Sequence, residues 1–470
     1  MKRFISGFTS ENENRPKKRD LFSSKVGVIA AAAGSAVGLG NIWKFPYEAG
    51  NNGGAAFILL YLFFIITIGL PVMLSEFVIG RKSRSNVHGA FHKLAPGSKW
   101  PFVGYIGILA AFMILAFYSV VGGWCIQYVI YAVSGTFTNG TSDEYCFIFN
   151  NFITSPIRPI IWQLLFMAIS AGIVLAGIKK GIEKYAKILM PLLLVIIIIL
   201  DIRAVTLKGA MEGLSFLFKP DFSELTGVSV LEALGQAFFS LSLGMGAIIT
   251  YGSYVNKHDN LSNTAGEVTI ADTLIAILAG IAIFPAVFAL GIDHDQGPGL
   301  VFVTLPEVFQ AMPGGFIFSV LFFTLLVVAA ITSSISLLEV VVAYFVEEQK
   351  MIRRDATIIA TALISIFGMI CSLSLSSSVK IEFFGKNFFD WLEFVSSNIL
   401  LPLGGLFIAL FVGWKLGKQK VLKELSNEYT INAPFYHVFI FLVKYIAPIA
   451  IAIVFLNGIG VLKYILMIFK

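Results

Sequence analysis

Gly34-Ser35-Ala36-Val37-Gly38-Leu39-Gly40-Asn41 and, in the second half of the chain, Ser240-Leu241-Ser242-Leu243-Gly244-Met245-Gly246 are the stretches on which the fold turns. Each interrupts an apolar run long enough to cross a bilayer, the first over about 26–46 and the second over 230–255. Clustered glycine is unusual there, because unwound backbone in hydrocarbon leaves amides and carbonyls unpaired at a cost of several kcal/mol each. Close packing through small residues is the commoner use of a single small-xxx-small pair. It does not account for Asn41, Ser240 and Ser242 beside the glycines, nor for breaks at corresponding places in the two halves of the chain.

Working outward, the remainder is written for lipid. The 470 residues are 57% hydrophobic and 13% charged, with mean hydropathy +0.84, too little polar surface to cover a water-soluble body of this size. Further apolar runs of spanning length occupy 55–80, 101–134, 160–178, 184–207, 269–291, 316–346, 356–375, 391–414 and 436–468, so eleven spans are expected. Residues 1–25, with Arg15-Pro16-Lys17-Lys18-Arg19, lack a small-residue cleavage site and read as a cytoplasmic tail. With that tail inside, the loops on its side carry Arg81, Lys82, Arg84, Lys179, Lys180, Lys184, Lys187, Arg353, Arg354, Lys415, Lys418, Lys420 and Lys423. The opposite loops are poor in cations, and the one holding Asp293, His294, Asp295 and Glu307 has none. The expected location is thus the inner (plasma) membrane, multi-pass, and the basic balance reflects topology rather than nucleic-acid binding. Cys125 and Cys371 fall in spans and Cys146 in an outer loop, which gives no disulfide framework.

Breaks in spans one and six, each the first of five, match a transporter built from inverted repeats, with half-helix ends and freed carbonyls forming a midplane site. The strings Gly34 to Tyr47 (GSAVGLGNIWKFPY), Asn52 to Phe57 (NGGAAF), Gln236 to Tyr251 (QAFFSLSLGMGAIITY) and Thr332-Ser333-Ser334 together resemble the signature segments of the neurotransmitter:sodium symporter family, from about residue 19 to the end. The resemblance implies an all-α polytopic protein with a 5+5 inverted repeat, unwound helices 1 and 6 and one extra helix. The divisions are a tail over 1–25, a first repeat over 26–207, a second over 230–414, and a cytoplasmic loop with the last span over 415–470.

The same resemblance implies two sodium ions and no organic cofactor. Unwound carbonyls with Ser, Thr and Asn oxygens suit a hard monovalent cation. One ion would take Ala36, Asn41, Ser240 and Asp272 together with the substrate carboxylate; the other would take Gly34, Val37, Ala329, Thr332 and Ser333. Taken alone, Thr332 and Ser333 read equally as hydroxyls bonded back to a carbonyl one turn earlier. Asp272 aligns at the family's sodium-binding Asn, and Ala276 at its chloride-binding Ser, while Tyr61, Gln236 and Ser240 match the other chloride-binding residues. A carboxylate there would make chloride dispensable and could exchange a proton. Its place near the inner end of its predicted span also admits a solvated acid.

For substrate, the resemblance assigns the carboxylate to the amides of Leu39 and Gly40 with the Tyr118 hydroxyl, at the positive end of a half-helix. The ammonium falls to carbonyls near Ala36, Phe239 and Ser242. Gly38 stands where monoamine carriers have Asp, which points to amino acids. Ser35, Ile114, Phe239, Ser240, Met245, Ser333 and Leu337 complete a pocket without formal charge, suited to neutral, hydrophobic or aromatic side chains. Lys44 and Glu393 match the outer gate pair, Arg19 and Glu347 the inner pair, with Phe22, Ser253 and Tyr254 nearby. Gly181 and Pro191 have the spacing of a bacterial unwinding motif in span five, or of an ordinary proline kink.

The function expected is therefore sodium-coupled symport of a neutral amino acid by alternating access, across the bilayer and without chloride or nucleic acid. A substrate-gated channel would instead show a continuous polar stripe, and a sodium symporter for another small zwitterion would share most of these residues. An enzyme is not expected, since His88, His92, His258, His294 and His437 form no metal-spaced cluster and no nucleophile stands with a base.

Overall fold

The computed structural model describes residues 20–291, 300–376, 381–383 and 385–462. Among them, nine uninterrupted helical segments are long and apolar enough to cross a membrane: Ala55–Ser83, Pro101–Val133, Arg158–Leu175, Ile178–Val205, Leu261–Leu290, Gly315–Glu347, Arg353–Ser374, Phe388–Lys415 and Tyr436–Gly458. These are spans 2 to 5 and 7 to 11. Span 1 is a bent pair, Lys25–Ala36 and Gly40–Asn51, with 53° between its halves. Span 6 is the pair Gly227–Ser240 and Ala247–Gly252. The total is the expected eleven. A two-stranded hairpin pairing Glu382–Phe383 with Lys386–Asn387 is the one departure from an all-helical chain among the described residues.

Two spans begin earlier than their apolar runs. Span 7 starts at Leu261 because Asn260 caps it, accepting from the Ser262 and Asn263 amides, and its first turns bury Thr264, Ala265 and Val268. Those polar turns hide the start from a hydropathy reading. As a correction, Asp272 therefore stands several turns inside the helix, fully buried, and is not a solvated acid at its end. Span 5 starts at Ile178 in a wide turn, Ile178–Glu183, followed by Lys184–Val205 with Pro191 in its interior. Glu183 is held there by Ser23, Ser24 and Lys187: the Ser23 amide and hydroxyl donate at 2.7 and 2.5 Å, the Ser24 hydroxyl at 3.1 Å and Lys187 Nζ at 2.6 Å. The start of span 1 is thus fastened to the start of span 5.

The break in span 6 rests on positive φ at Ser242 (54°), Gly244 (84°) and Gly246 (78°). Backbone meets backbone at this place. A Cβ on Gly244 would collide with the Leu401 carbonyl of span 10, and one on Gly404 with the Gly244 carbonyl. From the other side, Glu76 of span 2, wholly buried, accepts the Gly244 amide at 2.8 Å and so satisfies one of the donors the break sets free.

Candidate functional site

The two breaks face each other and are tied directly. Ser242 donates its hydroxyl to the Ser35 carbonyl at 2.9 Å, and Gln236 Nε2 donates to the Gly40 carbonyl at 3.3 Å. Span 1 stops being α-helical after Ala36 because Val37 turns extended (ψ 107°), which leaves the carbonyls of its last turn without helical partners. What meets those carbonyls comes from span 8. Ser333 Oγ lies 3.4 Å from the Gly34 carbonyl, 3.3 Å from Ser35 and 3.1 Å from Val37, while Thr332 Oγ1 lies 3.5 Å from Val37 and 2.9 Å from Ala329. All five oxygens named for the second ion are therefore gathered in one buried cluster. Thr332 does make the bond to a carbonyl one turn earlier; Ser333 reaches across to span 1 instead.

The second cluster centres on an acid. Asp272 Oδ1 accepts from Asn41 Nδ2 at 2.7 Å and Oδ2 from Ser240 Oγ at 2.7 Å, while Tyr61 donates to Ser240 Oγ at 3.2 Å. Asn41 also donates to Ser240 Oγ at 3.1 Å, and its amide oxygen accepts from the Gly38 amide at 3.1 Å. Asn41, Tyr61 and Asp272 have no solvent exposure and Ser240 almost none. A carboxylate removed from water requires compensation, and this one has donors on both oxygens yet, among the described residues, no basic side chain paired with it. The arrangement suits a cation brought from outside.

Between the clusters runs Val37–Gly40. The Leu39 amide donates to the Tyr118 hydroxyl at 3.3 Å, so the two groups assigned to a substrate carboxylate stand side by side. A Cβ on Gly38 would lie 2.6 Å from Ser333 Oγ and 3.1 Å from Tyr118 Oη; glycine here keeps the space beside both open. Gly40 faces the Phe239 ring, where a Cβ would be 3.0 Å from Cε1. Ser35, buried, donates to Ser336 at 2.8 Å. Ile114, Met245 and Leu337 are buried too; Gly107, two turns before Ile114 on span 3, faces the Met245 backbone, and Leu337 is one turn beyond Ser333.

The residues read as an outer gate pair stand apart. Lys44 and Glu393 do not form a salt bridge; the Lys44 ammonium lies 4.6 Å from the centre of the Phe239 ring. A ring face holds a cation without a carboxylate's desolvation cost, which is the physical reason the cation can rest on Phe239. Above this pair a cavity of about 270 Å³ is lined by Glu232, Gln236, Asn398 and Asn457 among others. At the inner gate, Glu347 accepts from the Asn86 amide at 2.8 Å and from Ser85 Oγ at 3.1 Å; Arg19 lies outside the described residues. The sequence reading passed over a neighbouring buried pair. Glu339, unexposed, takes Arg353 Nη2 at 2.6 Å and the Tyr254 hydroxyl at 2.7 Å, and Arg353 also donates to the Val174 carbonyl at 2.9 Å. The one available signal was Glu339 itself, an acid within an apolar run.

Comparison with known proteins places this geometry. The sodium:neurotransmitter symporter family model matches residues 19–151 and 153–467. An uncharacterized sodium-dependent transporter of Bacillus subtilis, YhdH, is 41% identical over 94% of this chain and 98% of its own length. The sodium- and chloride-dependent GABA transporter 2 of Rattus norvegicus is 25% identical over 90% of this chain and 79% of its own. The crystal structure of MhsT in complex with L-phenylalanine superposes with a TM-score of 0.86 at 47% identity, covering 94% of this chain and all of that one.

Proposed function

Because the chain belongs to the sodium:neurotransmitter symporter family and is a sodium-dependent transporter, not an enzyme, we propose that it couples two sodium ions to the movement of a neutral, hydrophobic or aromatic amino acid, without chloride. The observation that carries this reading is the Asn41–Ser240–Asp272 knot, a buried carboxylate beside the substrate break. One ion joins Ala36, Asn41, Ser240 and Asp272 to the substrate carboxylate, so substrate and ion complete each other's coordination. The second ion sits in the cluster of Gly34, Val37, Ala329, Thr332 and Ser333, and joins spans 1 and 8. Asp272 supplies the negative charge that a chloride-dependent relative draws from solution.

The substrate carboxylate meets the Leu39 and Gly40 amides and Tyr118, and its ammonium the carbonyls near Ala36, Phe239 and Ser242. Gly38, without a carboxylate of its own, favours ligands that bring one. The uncharged set Ser35, Ile114, Met245, Ser333 and Leu337 supports an apolar side chain, and the L-phenylalanine bound to MhsT is of that kind. Lys44, Phe239 and Glu393 close the outer path and Arg19 with Glu347 the inner one. The repeats run over 26–207 and 230–414, in an inner membrane with the amino terminus cytoplasmic. Uptake into proteoliposomes tests the whole reading. Labelled phenylalanine or tryptophan should accumulate with a sodium gradient, stop when choline replaces sodium, and continue when gluconate replaces chloride. Accumulation that ignores sodium, or fails without chloride, overturns it.

A further inference from the structure

Span 11 carries a cation in an unfavourable place. Lys444 lies within the spanning helix Tyr436–Gly458, about 12 Å along its axis from Tyr436 at the α-helical rise. A lysine at such depth on a lipid-facing helix normally finds an acid or stretches to the interface. Here its ammonium is held between aromatic rings, 4.2 Å from the Trp414 centroid and 5.3 Å from that of Tyr445. Both rings face outward, Trp414 60% and Tyr445 44% exposed, on the side that meets lipid. The position is fixed by backbone: a Cβ on Gly413 would lie 2.9 Å from Lys444 Cα, and Trp414 Nε1 donates to the Lys444 carbonyl at 3.2 Å.

Two more lysines stand at the same end of span 10. Lys415 follows Trp414 and is exposed, and Lys418 lies 5.9 Å over the Tyr436 ring at the start of span 11. Among the described residues none of the three lysines has a carboxylate within ion-pair distance. The acids nearby are engaged elsewhere: Glu424 holds Arg81 and Lys82, and Glu428 lies by Lys257 and Lys423. Two cations at the end of span 10 and a third deeper, packed against Gly413 and framed by exposed aromatics, without a carboxylate partner among the described residues, form a place for an anion that arrives through the bilayer.

We propose that the surface where the end of span 10 packs on span 11 is a headgroup site for an anionic phospholipid, whose phosphate takes Lys444 and Lys415 while its chains pack beside Trp414 and Tyr445. The lipid supplies the missing negative charge and fastens the loop after Lys415. That loop carries Glu424, whose side chain accepts Arg81 Nε at 2.9 Å, so occupancy steadies the union of spans 2, 10 and 11.

The full-length protein in nanodiscs of phosphatidylcholine, with or without phosphatidylglycerol, tests this by thermal unfolding. Phosphatidylglycerol should raise the midpoint by several degrees for the parent and for Lys444→Arg, and leave Lys444→Gln almost unmoved. Lys25→Gln, which removes a lysine paired with Glu267 on the same membrane face, should keep the full shift. Inorganic phosphate added to phosphatidylcholine discs should do nothing; a shift equal to that of the lipid would show a free-phosphate site and overturn the lipid assignment. An undiminished shift in Lys444→Gln overturns it as well. Should Lys444→Gln fail to assemble, quenching by lipids with brominated chains decides: anionic brominated lipid should quench the parent more than the zwitterionic one, and Trp414→Phe should abolish the difference. Equal quenching by the two lipids sinks the proposal.

Discussion

Ser240 and Asp272 are joined by a hydroxyl-to-carboxylate hydrogen bond of 2.7 Å, with the acid's other oxygen held by Asn41 at the same distance. The bond links the end of a broken helix to the middle of an unbroken one. With the Asn41 bond it ties a buried acid to the place where spans 1 and 6 meet.

Asp272→Ser should therefore abolish sodium-driven uptake in gluconate medium and recover part of it when chloride is restored, because the vacated charge sits beside Tyr61, Gln236 and Ser240. Asp272→Asn, which keeps shape and removes charge, should lose uptake in either medium. Sodium activation curves measured in both anions check this. Chloride stimulation of the unaltered protein would contradict it.

At Gly38 the space is too small for even one carbon, since a Cβ would lie 2.6 Å from Ser333 Oγ. Gly38→Ala should weaken substrate and sodium binding together, as Ser333 is pushed from the Val37 carbonyl. Overpacking of about 1–3 kcal/mol corresponds to roughly five- to 150-fold in affinity. Scintillation proximity binding at graded sodium reads both. In the same assay tryptophan should compete far better than tryptamine, which lacks the carboxylate meant for the Leu39 amide.

The lid cation gives a coupling prediction. Lys44 rests on Phe239, so a mutant cycle of Lys44→Gln with Phe239→Leu should show a coupling of about 0.5–2 kcal/mol in the closing equilibrium. The cycle of Lys44→Gln with Glu393→Gln should be smaller if the ring is the resting partner. Cysteine accessibility of the outer path measures each equilibrium, and full additivity of the first pair would refute the lid contact.

Arg353→Gln leaves Glu339 buried with only the Tyr254 hydroxyl beside it. Removing the partly exposed Arg353 leaves the buried Glu339 carboxylate without its counter-charge, so the thermal midpoint should fall markedly. Glu339→Gln with Arg353→Met should recover much of the loss. A single mutant as stable as the parent would show that the pair is solvated in the membrane.

Hydropathy alone reveals a span only where burial and apolarity coincide, and the exceptions show why. Spans 2, 3, 8 and 10 end within three residues of their apolar runs. Span 7 begins well before its run because Thr264 is polar yet buried, and this misplaced Asp272 toward the water. The oxygen cluster was named from the family resemblance alone, since nothing local to Thr332 and Ser333 in unbroken span 8 points to the carbonyls of span 1. Glu76 and the Glu339–Arg353 pair were not legible, because their roles rest on partners distant in sequence. Arg81 illustrates the limit: counted as a loop cation, its side chain is buried and bound to Glu424 and the Asp259 carbonyl.

The meeting of Gly244 with Gly404 has a mechanical meaning. Side chains between two helices act as a compliant layer, which can absorb a small slide by changing rotamers. Here that layer is missing, and two peptide backbones bear on each other with nothing to yield. A shift of span 10 at the membrane surface would therefore reach the carbonyls around the span 6 break undamped. Span 10 would then act as a pushrod, and a bulkier residue at Gly404 or Gly405 should alter transport by changing its length of travel.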